Sequence, residues 1–303
     1  MNALPHPGAD AGPAVPETLA VIAGRGAYPL LLAESARAQG VRRLLVAAFR
    51  GETDPAIRRL ADRVDWLRVG QLGALLETLR AGGARDAVMA GQIAPTHLFR
   101  VRLDAPMWRL LKRLPVRNAE TIFGAVADEL AAIGVRLLPA CRFMERAMPG
   151  EGLLGRRPPT DDERRDIDLG LRVATATSDL DIGQTVVVKN GTILAVEAFE
   201  GTNAALLRAG RLGGPGSVVV KAAKPGHDMR FDIPVVGLKT LDVLRRIRAA
   251  ALAVEAGRCI LLERERLVVT ADRLGLCFAA VRRPYGPPPA APSGDAAAKG
   301  GPS

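Results

Sequence analysis

The sequence of 303 residues has few of the residues that several common chemistries require. It contains three cysteines and three histidines, and only 4% of its residues are aromatic. Cys141, Cys259 and Cys277 lie too far apart for a Cys-x-x-Cys motif, and their odd number does not suit a set of disulfides. We therefore expect reduced thiols and a cytoplasmic protein.

Several motifs are also missing. No Gly-x-x-x-x-Gly-Lys-Ser/Thr phosphate loop and no His-Glu-x-x-His motif occurs, and the three histidines lie far apart at His6, His97 and His227. Zinc hydrolysis and histidine-based nucleophilic catalysis therefore lack their usual residues. No apolar run approaches the roughly 20 residues of a membrane helix, and the first residues have no apolar signal-peptide core. We expect any membrane association to be peripheral.

Charge of one sign is in excess. Lys and Arg number 42 against 32 Asp and Glu, which gives a net charge of +10 without any long basic block. A dispersed excess favours anionic partners such as nucleotides, phospholipid headgroups or RNA. The basic residues do not alternate with aromatic ones, which is the pattern used to stack bases. We therefore expect no nucleic acid partner.

Short apolar runs alternate with amphipathic segments between residues 19 and 90. LAVIA, RRLLVAAF, VDWLRV and RDAVMAG are typical of buried strands, and YPLLLAESARAQG and QLGALLETLRAGG are typical of helices. This alternation predicts a parallel sheet wrapped by right-handed crossovers. Asn118 can cap a further helix that Gly134 ends, and VRLLPA indicates another strand. The sequence predicts an α/β fold whose N-terminal domain, residues 18–152, is Rossmann-like.

A second, mixed α/β domain is predicted over residues 153–284. Thr160 and Glu163 have the spacing of a capping box at the start of DDERRDIDLGLRVATAT. TVVVK and TILAVE flank Asn190-Gly191, which suits a type I′ hairpin turn. SVVVKAA, CILLE and LCFAAV indicate further strands, and KTLDVLRRIRAAALAVEAG and ERLVVTADRLG indicate helices. Residues 1–17 and 285–303 are rich in Pro, Gly and Ala, and we expect them to be disordered tails.

The first predicted strand ends in a Gly-x-Gly turn at Gly24 and Gly26. Pro29 occupies the place of the third glycine of a dinucleotide fingerprint, and no acidic residue ends the second strand, so an NAD site is not favoured. The turn either presents backbone amides to a phosphate, or its glycines are needed only for the geometry of the turn. Gly91-Gln92 ends another strand of the same sheet and is expected at the ligand-binding edge.

Carboxylates cluster near the predicted strand ends of the second domain. They form three pairs, Asp179 with Asp181, Glu197 with Glu200, and Asp228 with Asp232. Beside the cations Lys189, Lys221, Lys224 and Arg230, they suit a metal-bound polyphosphate. For any single one of these acids, a solvated loop carboxylate or a cap is the commoner explanation. Their joint occurrence in three segments predicts a site for a hard cation such as Mg²⁺.

The segment KAAKPGHDMRFDIP, residues 221–234, combines two lysines, an arginine and two aspartates with Pro225, Gly226 and Pro234. Proline and glycine restrict its backbone, as a preorganised site requires. An exposed charged connection between a strand and a helix is the alternative. We expect the working site of a metal-dependent enzyme that acts on a phosphorylated substrate.

Four motifs of the chain closely resemble the UDP-2,3-diacylglucosamine pyrophosphatases of lipid A biosynthesis. They are LDIGQTVVVKNG, ILAVEAFEGTNAALLRAG, VVVKAAKPGHDMRFDIPVVG and AVEAGRCILLERERLVVTADRLGLCF. IAGRGAYP and the strand end AGQ fit the N-terminal part of that family. The resemblance implies a Mg²⁺-dependent hydrolase that cleaves UDP-2,3-diacylglucosamine to UMP and 2,3-diacylglucosamine 1-phosphate, also called lipid X. It also implies a homodimer of two-domain chains that hold the lipid between the domains. A basic surface would help such an enzyme meet the anionic inner leaflet, so we expect transient contact with the inner-leaflet membrane surface.

The resemblance and the residue pattern together indicate roles for individual residues. The family's Arg-x-Asp-Leu-Pro motif falls on Arg230 to Pro234, which places the essential aspartate at Asp232. The expected metal ligands are Asp232, Asp181, Glu197 and Asp228. Lys221, Lys224 and Arg230 are expected to stabilise charge on the leaving UMP. The residues expected to bind substrate are Gly24, Gly26, Gly91, Gln92, Thr202 and Gln184.

Two other classes of function stay open at this point. A nucleotide-sugar or dinucleotide binding protein would use the turn at Gly24 and Gly26, with the second domain as a regulatory module. A non-enzymatic RNA-binding protein would rest on the net charge alone.

Overall fold

The computed structural model describes residues 14–93, 102–224, 228–231 and 233–282. Most of the two predicted tails lies outside these ranges. The first domain contains the strands β1 (Thr18–Ala23), β2 (Arg43–Phe49), β3 (Arg63–Leu67), β4 (Asp86–Ala90) and β5 (Arg136–Leu137). They form one five-stranded sheet in the order β3-β2-β1-β4-β5. All of its pairs are parallel, which confirms the Rossmann-like prediction.

Helices cover both faces of this sheet. They are α1 (Tyr28–Ala38), α2 (Leu72–Gly82), α3 (Ala105–Arg113) and α4 (Ala119–Ala132), with a short 3₁₀ helix at Pro55–Arg59. In β1, Leu19 and Val21 pack in one apolar cluster with α1, and Ala20 and Ile22 pack in a second cluster with α2, α3 and α4. The strand is buried on both faces, which explains its continuous apolar sequence.

Local caps fix the ends of several helices. Thr121 N donates to Asn118 Oδ1 over 2.9 Å at the start of α4, and Gly134 takes a φ of +78° just beyond its end. Both predictions for this helix are confirmed. α3 is not predicted from the sequence; Asp104 caps it by accepting from Met107 N over 2.9 Å.

The second domain is built on a mixed sheet. Its strands are β6 (Gly152–Leu153), β7 (Thr185–Lys189), β8 (Thr192–Val196), β9 (Val218–Lys221), β11 (Ala251–Glu255) and β13 (Cys277–Val281). The order is β6-β13-β11-β9-β7-β8, with β9, β11 and β13 parallel and the other pairs antiparallel. Asn190 and Gly191 have φ angles of +49° and +74°, as a type I′ turn requires, so the predicted hairpin is confirmed.

Four helices enclose this second sheet. They are α5 (Asp161–Asp179), α6 (Thr202–Gly213), α7 (Leu238–Ile247) and α8 (Arg264–Arg273). α5 packs on one face, and α6, α7 and α8 pack on the other. The predicted capping box is present, because Thr160 and Glu163 exchange side-chain to backbone bonds at the start of α5.

One predicted helix is wrong. The segment KTLDVLRRIRAAALAVEAG does not form a single helix, because α7 stops at Ile247 and Arg248 takes a left-handed φ of +53°. The remainder forms β11, which is buried along its whole length between β9 and β13. An alanine-rich central strand has no alternation of polar and apolar residues, so its sequence looks like a continuation of the helix.

The two domains share apolar contacts. The strands β10 (Val235–Val236) and β12 (Ile260–Leu261) form a separate parallel pair. Ile233, Ile260 and Leu262 belong to the same apolar cluster as α1 and β1 of the first domain. The segment from Asp228 to Phe231 also lies against the first domain, because Ala140 N donates to Met229 O over 2.6 Å. None of the helices in the described ranges combines the length and apolar character that crossing a bilayer requires.

Candidate active site

An apolar pocket opens at the carboxyl edge of the first sheet. It encloses about 860 Å³, its open mouth included. Its walls come from strand ends, from α2, α3 and α4, and from one residue of the second domain: Ile22, Gly24, Phe49, Val69, Gly70, Gln71, Leu72, Leu75, Met89, Gly91, Ile93, Met107, Ala119, Ile122, Phe123, Val126 and Phe231. β1 and β4 meet where the strand order reverses, which is where ligands bind in open α/β sheets.

Phe231 closes the pocket from the side of the second domain. Its ring centroid lies 5.9 Å from that of Phe123 on α4. It is held by the segment that also contains Asp228 and Arg230. The pocket is therefore completed only when the two domains are together.

Gly24 and Gly91 allow two turns to touch at this edge. Gly24 N donates to Ala90 O over 2.8 Å, and Arg25 N donates to Gln92 O over 2.7 Å. A Cβ at Gly24 would lie 2.5 Å from Gln92 O, and one at Gly91 would lie 2.6 Å from Arg25 O. The amides of Gly24 and Arg25 are thus already bonded, which favours close packing over phosphate binding as the reason for glycine at position 24.

A buried polar network lies at the carboxyl end of β9. The Lys221 side chain is 8% exposed, and its Nζ donates to Thr185 Oγ1 over 3.2 Å and to Thr202 Oγ1 over 3.0 Å. Thr202 Oγ1 donates to Glu197 Oε1 over 2.7 Å, and Glu197 Oε2 lies 3.9 Å from Lys221 Nζ. Within the described residues, Glu197 Oε2 has no hydrogen-bond partner although it is buried. The network therefore keeps a buried acceptor available beside a buried ammonium group.

Lys224 joins the second domain to the first. Its Nζ lies 2.6 Å from Glu120 Oε2 at the start of α4 and 2.9 Å from Asp181 Oδ1. Asn118 Nδ2 donates to Asp181 Oδ2 over 2.8 Å. The hydrogen bonds to Asp181 and Glu120 hold the pKa of the Lys224 ammonium well above its usual range. Ala119 lines the apolar pocket and Glu120 is the next residue, so this charged cluster adjoins the pocket.

Asp228 and Arg230 form a separate ion pair. Arg230 Nη2 lies 2.6 Å from Asp228 Oδ2, and Arg230 Nε donates to both carboxylate oxygens. Hydrogen bonding to Asp228 raises the pKa of Arg230 above its ordinary value. Asp228 is thus engaged with a neighbouring cation two residues away.

The structure brings some of the predicted site residues together and separates others. Glu197, Thr202 and Lys221 share one network, and Gln184 O accepts from Ala222 N over 3.0 Å beside it. Gly26, with a φ of +96°, and Gln92 lie next to the pocket glycines but are not among the lining residues.

The predicted metal ligands do not form one group in the described part of the chain. There, no three His, Cys, Asp or Glu side chains gather closely enough to hold a metal ion. Asp181, Glu197 and Asp228 each face a different cation. Asp232 and all three histidines lie outside the described residues. The described acids alone therefore do not make up a magnesium site.

Sequence reasoning missed three contributors to the site. Asn118 was predicted only as a cap, Glu120 was not singled out in its helix, and Thr185 looked like an ordinary strand residue. A carboxylate in the first turn of a helix is favoured by the helix dipole, so Glu120 carried no separate signal. Its contact with Lys224 joins residues 104 positions apart.

Fold and site together define a two-domain α/β protein in which an apolar pocket lies beside a cluster of paired cations and carboxylates. Such a site offers an apolar and a charged surface to one ligand.

Comparison with known proteins gives the family. The LpxI N-terminal domain model matches residues 18–147, and the LpxI C-terminal domain model matches residues 150–279. The chain is also similar to the UDP-2,3-diacylglucosamine pyrophosphatase LpxI of Caulobacter vibrioides, with 34% identity over 271 residues. That match covers 85% of this chain and 95% of the relative. The chain belongs to the LpxI family.

Proposed function

We propose that this protein hydrolyses the pyrophosphate bond of UDP-2,3-diacylglucosamine and releases UMP and 2,3-diacylglucosamine 1-phosphate. The observation that carries the proposal is that the apolar pocket adjoins the charged cluster, because Ala119 lines the pocket and the next residue, Glu120, bonds to Lys224. A diacylated sugar joined to a nucleotide by a diphosphate needs both kinds of surface at once. The name of the Caulobacter vibrioides relative supports this choice of substrate.

In this proposal, the acyl chains occupy the pocket between α2, α3, α4 and Phe231. The diphosphate lies over the cluster around Lys224, and Lys221 and Arg230 supply further positive charge from their own ion pairs. Water forms a bond to the sugar-side phosphorus and loses a proton to solvent, while the bridging P–O bond breaks and the bridging oxygen leaves with UMP. Lys224 must share its charge between the phosphate and its two carboxylates, so substrate binding would weaken its present ion pairs.

Mg²⁺ is the cofactor that we propose, with Asp232 as its principal ligand and as the essential residue. A bound divalent cation neutralises phosphate oxygens and lowers the pKa of water. Asp181, Glu197 and Asp228 offer the hard oxygen donors that Mg²⁺ prefers, and Glu197 Oε2 is the one with no hydrogen-bond partner among the described residues. The homodimer and the transient contact with the inner-leaflet membrane stay predictions.

A Mg²⁺ assay with UDP-2,3-diacylglucosamine tests the proposal. UMP release is followed for the wild type and for Asp232→Asn, which removes one charge at nearly constant shape. We expect the variant to lose at least about a hundredfold in rate. Asp168→Asn, at an exposed position of α5, is the matched control and should retain wild-type activity. Full activity of Asp232→Asn, or activity unaffected by a chelator, would contradict the assignment.

The dinucleotide-binding alternative is less well supported, because the amides of Gly24 and Arg25 already bond to the neighbouring turn. Titration with NAD(P)H distinguishes the two functions. Tight cofactor binding without Mg²⁺-dependent turnover of the diacylated substrate would favour the alternative.

A further inference from the structure

Helix α3 presents two contrasting faces. Met107 and Leu110 are buried on its inner side, and Met107 forms part of the pocket wall. Trp108, Arg109 and Lys112 are exposed on its outer side. Trp108 is 50% exposed, a large aromatic surface for a residue outside any described interface. The helix is therefore a thin wall between the apolar pocket and the solvent.

The outer face carries an excess of positive charge. Lys112 Nζ lies 3.8 Å from the centroid of the Trp108 ring, and Arg113 pairs with Glu129 over 2.6 Å. Within the described ranges, no carboxylate pairs with Arg109 or Lys112, and the nearby Arg117 Nε bonds only to a backbone carbonyl, that of Leu111. Of the four cations Arg109, Lys112, Arg113 and Arg117, only Arg113 has a described ion pair.

Exposed apolar side chains continue this surface beyond the helix. Val116, in the turn between α3 and α4, is 56% exposed. The bond from Asn118 Nδ2 to Asp181 Oδ2 brings this turn beside Leu180 and Ile182, which are 71% and 44% exposed. Apolar side chains grouped with cations on one surface mark an interaction site rather than ordinary solvent exposure.

We propose that this surface, which we call the α3 face (Trp108, Arg109, Lys112, Arg113, Val116 and Arg117, with Leu180 and Ile182), docks on an anionic lipid bilayer. Tryptophan favours the boundary between headgroups and acyl chains, and lysine and arginine bind anionic headgroups while their stems lie along apolar surface. Docking here would set the pocket wall against the membrane. The usefulness of that position rests on the proposed lipid substrate, whereas the docking itself does not.

A second copy of the chain fits the α3 face less well. A two-fold interface would place the same surface against itself, so Arg109 and Lys112 would approach like charges. A bilayer that contains anionic lipid supplies opposite charge to the exposed cations of α3 and its following turn. Charge complementarity therefore selects the lipid surface as the occupant.

Tryptophan fluorescence tests the proposal on the full-length protein. The chain has two tryptophans, so Trp66→Phe leaves Trp108 as the sole emitter. Vesicles of equal parts phosphatidylcholine and phosphatidylglycerol should shift its emission to shorter wavelength, and vesicles of phosphatidylcholine alone should shift it much less. In Trp108→Phe, the emission of Trp66 should not change. The proposal would be overturned if the emission wavelength of Trp108 stayed the same when anionic vesicles were added.

Charge reversal provides the second test. Arg109→Glu/Lys112→Glu should lower the affinity for the mixed vesicles by at least about tenfold in a flotation assay. Arg245→Glu/Arg246→Glu on α7 makes the same change in net charge at exposed positions and should bind nearly as well as the wild type. Equal losses in the two variants would show a general charge effect. A change in oligomeric state confined to the α3 variant would identify the surface as a protein interface, and either result would refute docking by the α3 face.

The same variants separate this proposal from the enzymatic one. With substrate dispersed in detergent micelles, Arg109→Glu/Lys112→Glu should turn over UDP-2,3-diacylglucosamine at the wild-type rate, and the loss should be confined to substrate presented in anionic vesicles. A wild-type protein that binds vesicles but hydrolyses nothing would leave docking intact and refute the proposed function.

Discussion

Thr202 joins Glu197 to Lys221 through a single hydroxyl group, which donates to the carboxylate and accepts from the ammonium group. Thr202→Val keeps the shape of the side chain and removes both bonds. Because Glu197 and Lys221 are mostly buried, we expect a loss of about 1–3 kcal/mol in the free energy of unfolding. Urea denaturation measures it. Thr192→Val, at an exposed position of β8, is the control and should change stability by less than about 0.5 kcal/mol. Equal effects of the two substitutions would refute the importance of the network.

The three thiols should react slowly in the native protein. Burial raises the pKa of Cys259 to about 12, and burial also raises the pKa values of Cys277 and Cys141. The thiolate is the reactive form, so alkylation near neutral pH requires both deprotonation and access. We expect iodoacetamide to modify Cys141 first, since it is only partly buried, and Cys259 only after unfolding. Mass spectrometry of the native and denatured protein measures this order, and rapid native labelling of Cys259 would contradict it.

Local signals in the sequence were sufficient for several residues and insufficient for others. Asn118, the pair Thr160 and Glu163, and the Asn190-Gly191 turn follow from interactions within a few positions, and the structure contains all of them. The ion pair between Glu120 and Lys224 depends on how the domains meet, which no local pattern records. Asp228 was predicted as a metal ligand from its place near a strand end, and the structure adds its ion pair with Arg230.

At the scale of single elements, two helical glycines should respond to alanine in opposite directions. A Cβ at Gly170 of α5 would lie 2.5 Å from Val220 Cγ2 and 3.1 Å from Val188 Cγ2, both in the buried sheet. A Cβ at Gly124 of α4 would meet nothing within 4 Å. We expect Gly170→Ala to destabilise the protein by about 1–2 kcal/mol, because overpacking outweighs the gain in helix propensity.

Gly124→Ala serves as the matched control for this pair. Since it meets no neighbour, it should gain about 0.5–1 kcal/mol from helix propensity alone. Thermal unfolding compares the two variants with the wild type. Stabilisation by Gly170→Ala would mean that α5 can move away from β9 without loss.

The elements of the first sheet were predictable because each carries a distinct signal. Buried parallel strands are continuous apolar runs, and turns or caps separate them from the helices. β11 carries no such signal, because its alanines and valine follow α7 without a proline or glycine between them. The helix ends because Arg248 adopts a left-handed conformation. Arginine seldom adopts this conformation, so the sequence does not indicate the break. α3 was not predicted, although Asp104 caps it and Met107, Leu110 and Leu111 have helical spacing.

At the scale of the whole molecule, the meeting of the two domains creates the site. Phe231 reaches the pocket of the first domain, and Ile233, Ile260 and Leu262 enter its apolar cluster. The sequence predicts that two sheets form, and it predicts which strand ends carry charge. It does not predict how one sheet edge is set against the other, because that arrangement depends on side-chain packing between distant segments.

Lys224 provides a test of this domain contact through pH. Its pKa is raised by Asp181 and Glu120, so the folded protein holds this proton more tightly than the unfolded chain does. The resulting stability is fully present below the ordinary lysine pKa of about 10.4, and it is lost as the pH rises through the higher value of the folded state. Lys224→Met removes the charge and keeps most of the apolar stem.

The wild type should therefore exceed Lys224→Met in the free energy of unfolding by a constant margin from neutral to moderately alkaline pH. The margin should shrink only above the ordinary lysine pKa, because only there does the unfolded chain lose a proton that the folded protein keeps. Urea denaturation at a series of pH values measures it, with Lys239→Met, at an exposed position of α7, as the control whose margin stays near zero. A margin that grows with rising pH would mean that Lys224 opposes the contact between the domains. A margin absent at neutral pH would mean that apolar packing around Phe231 and Ile233 holds the domains together without the ion pair.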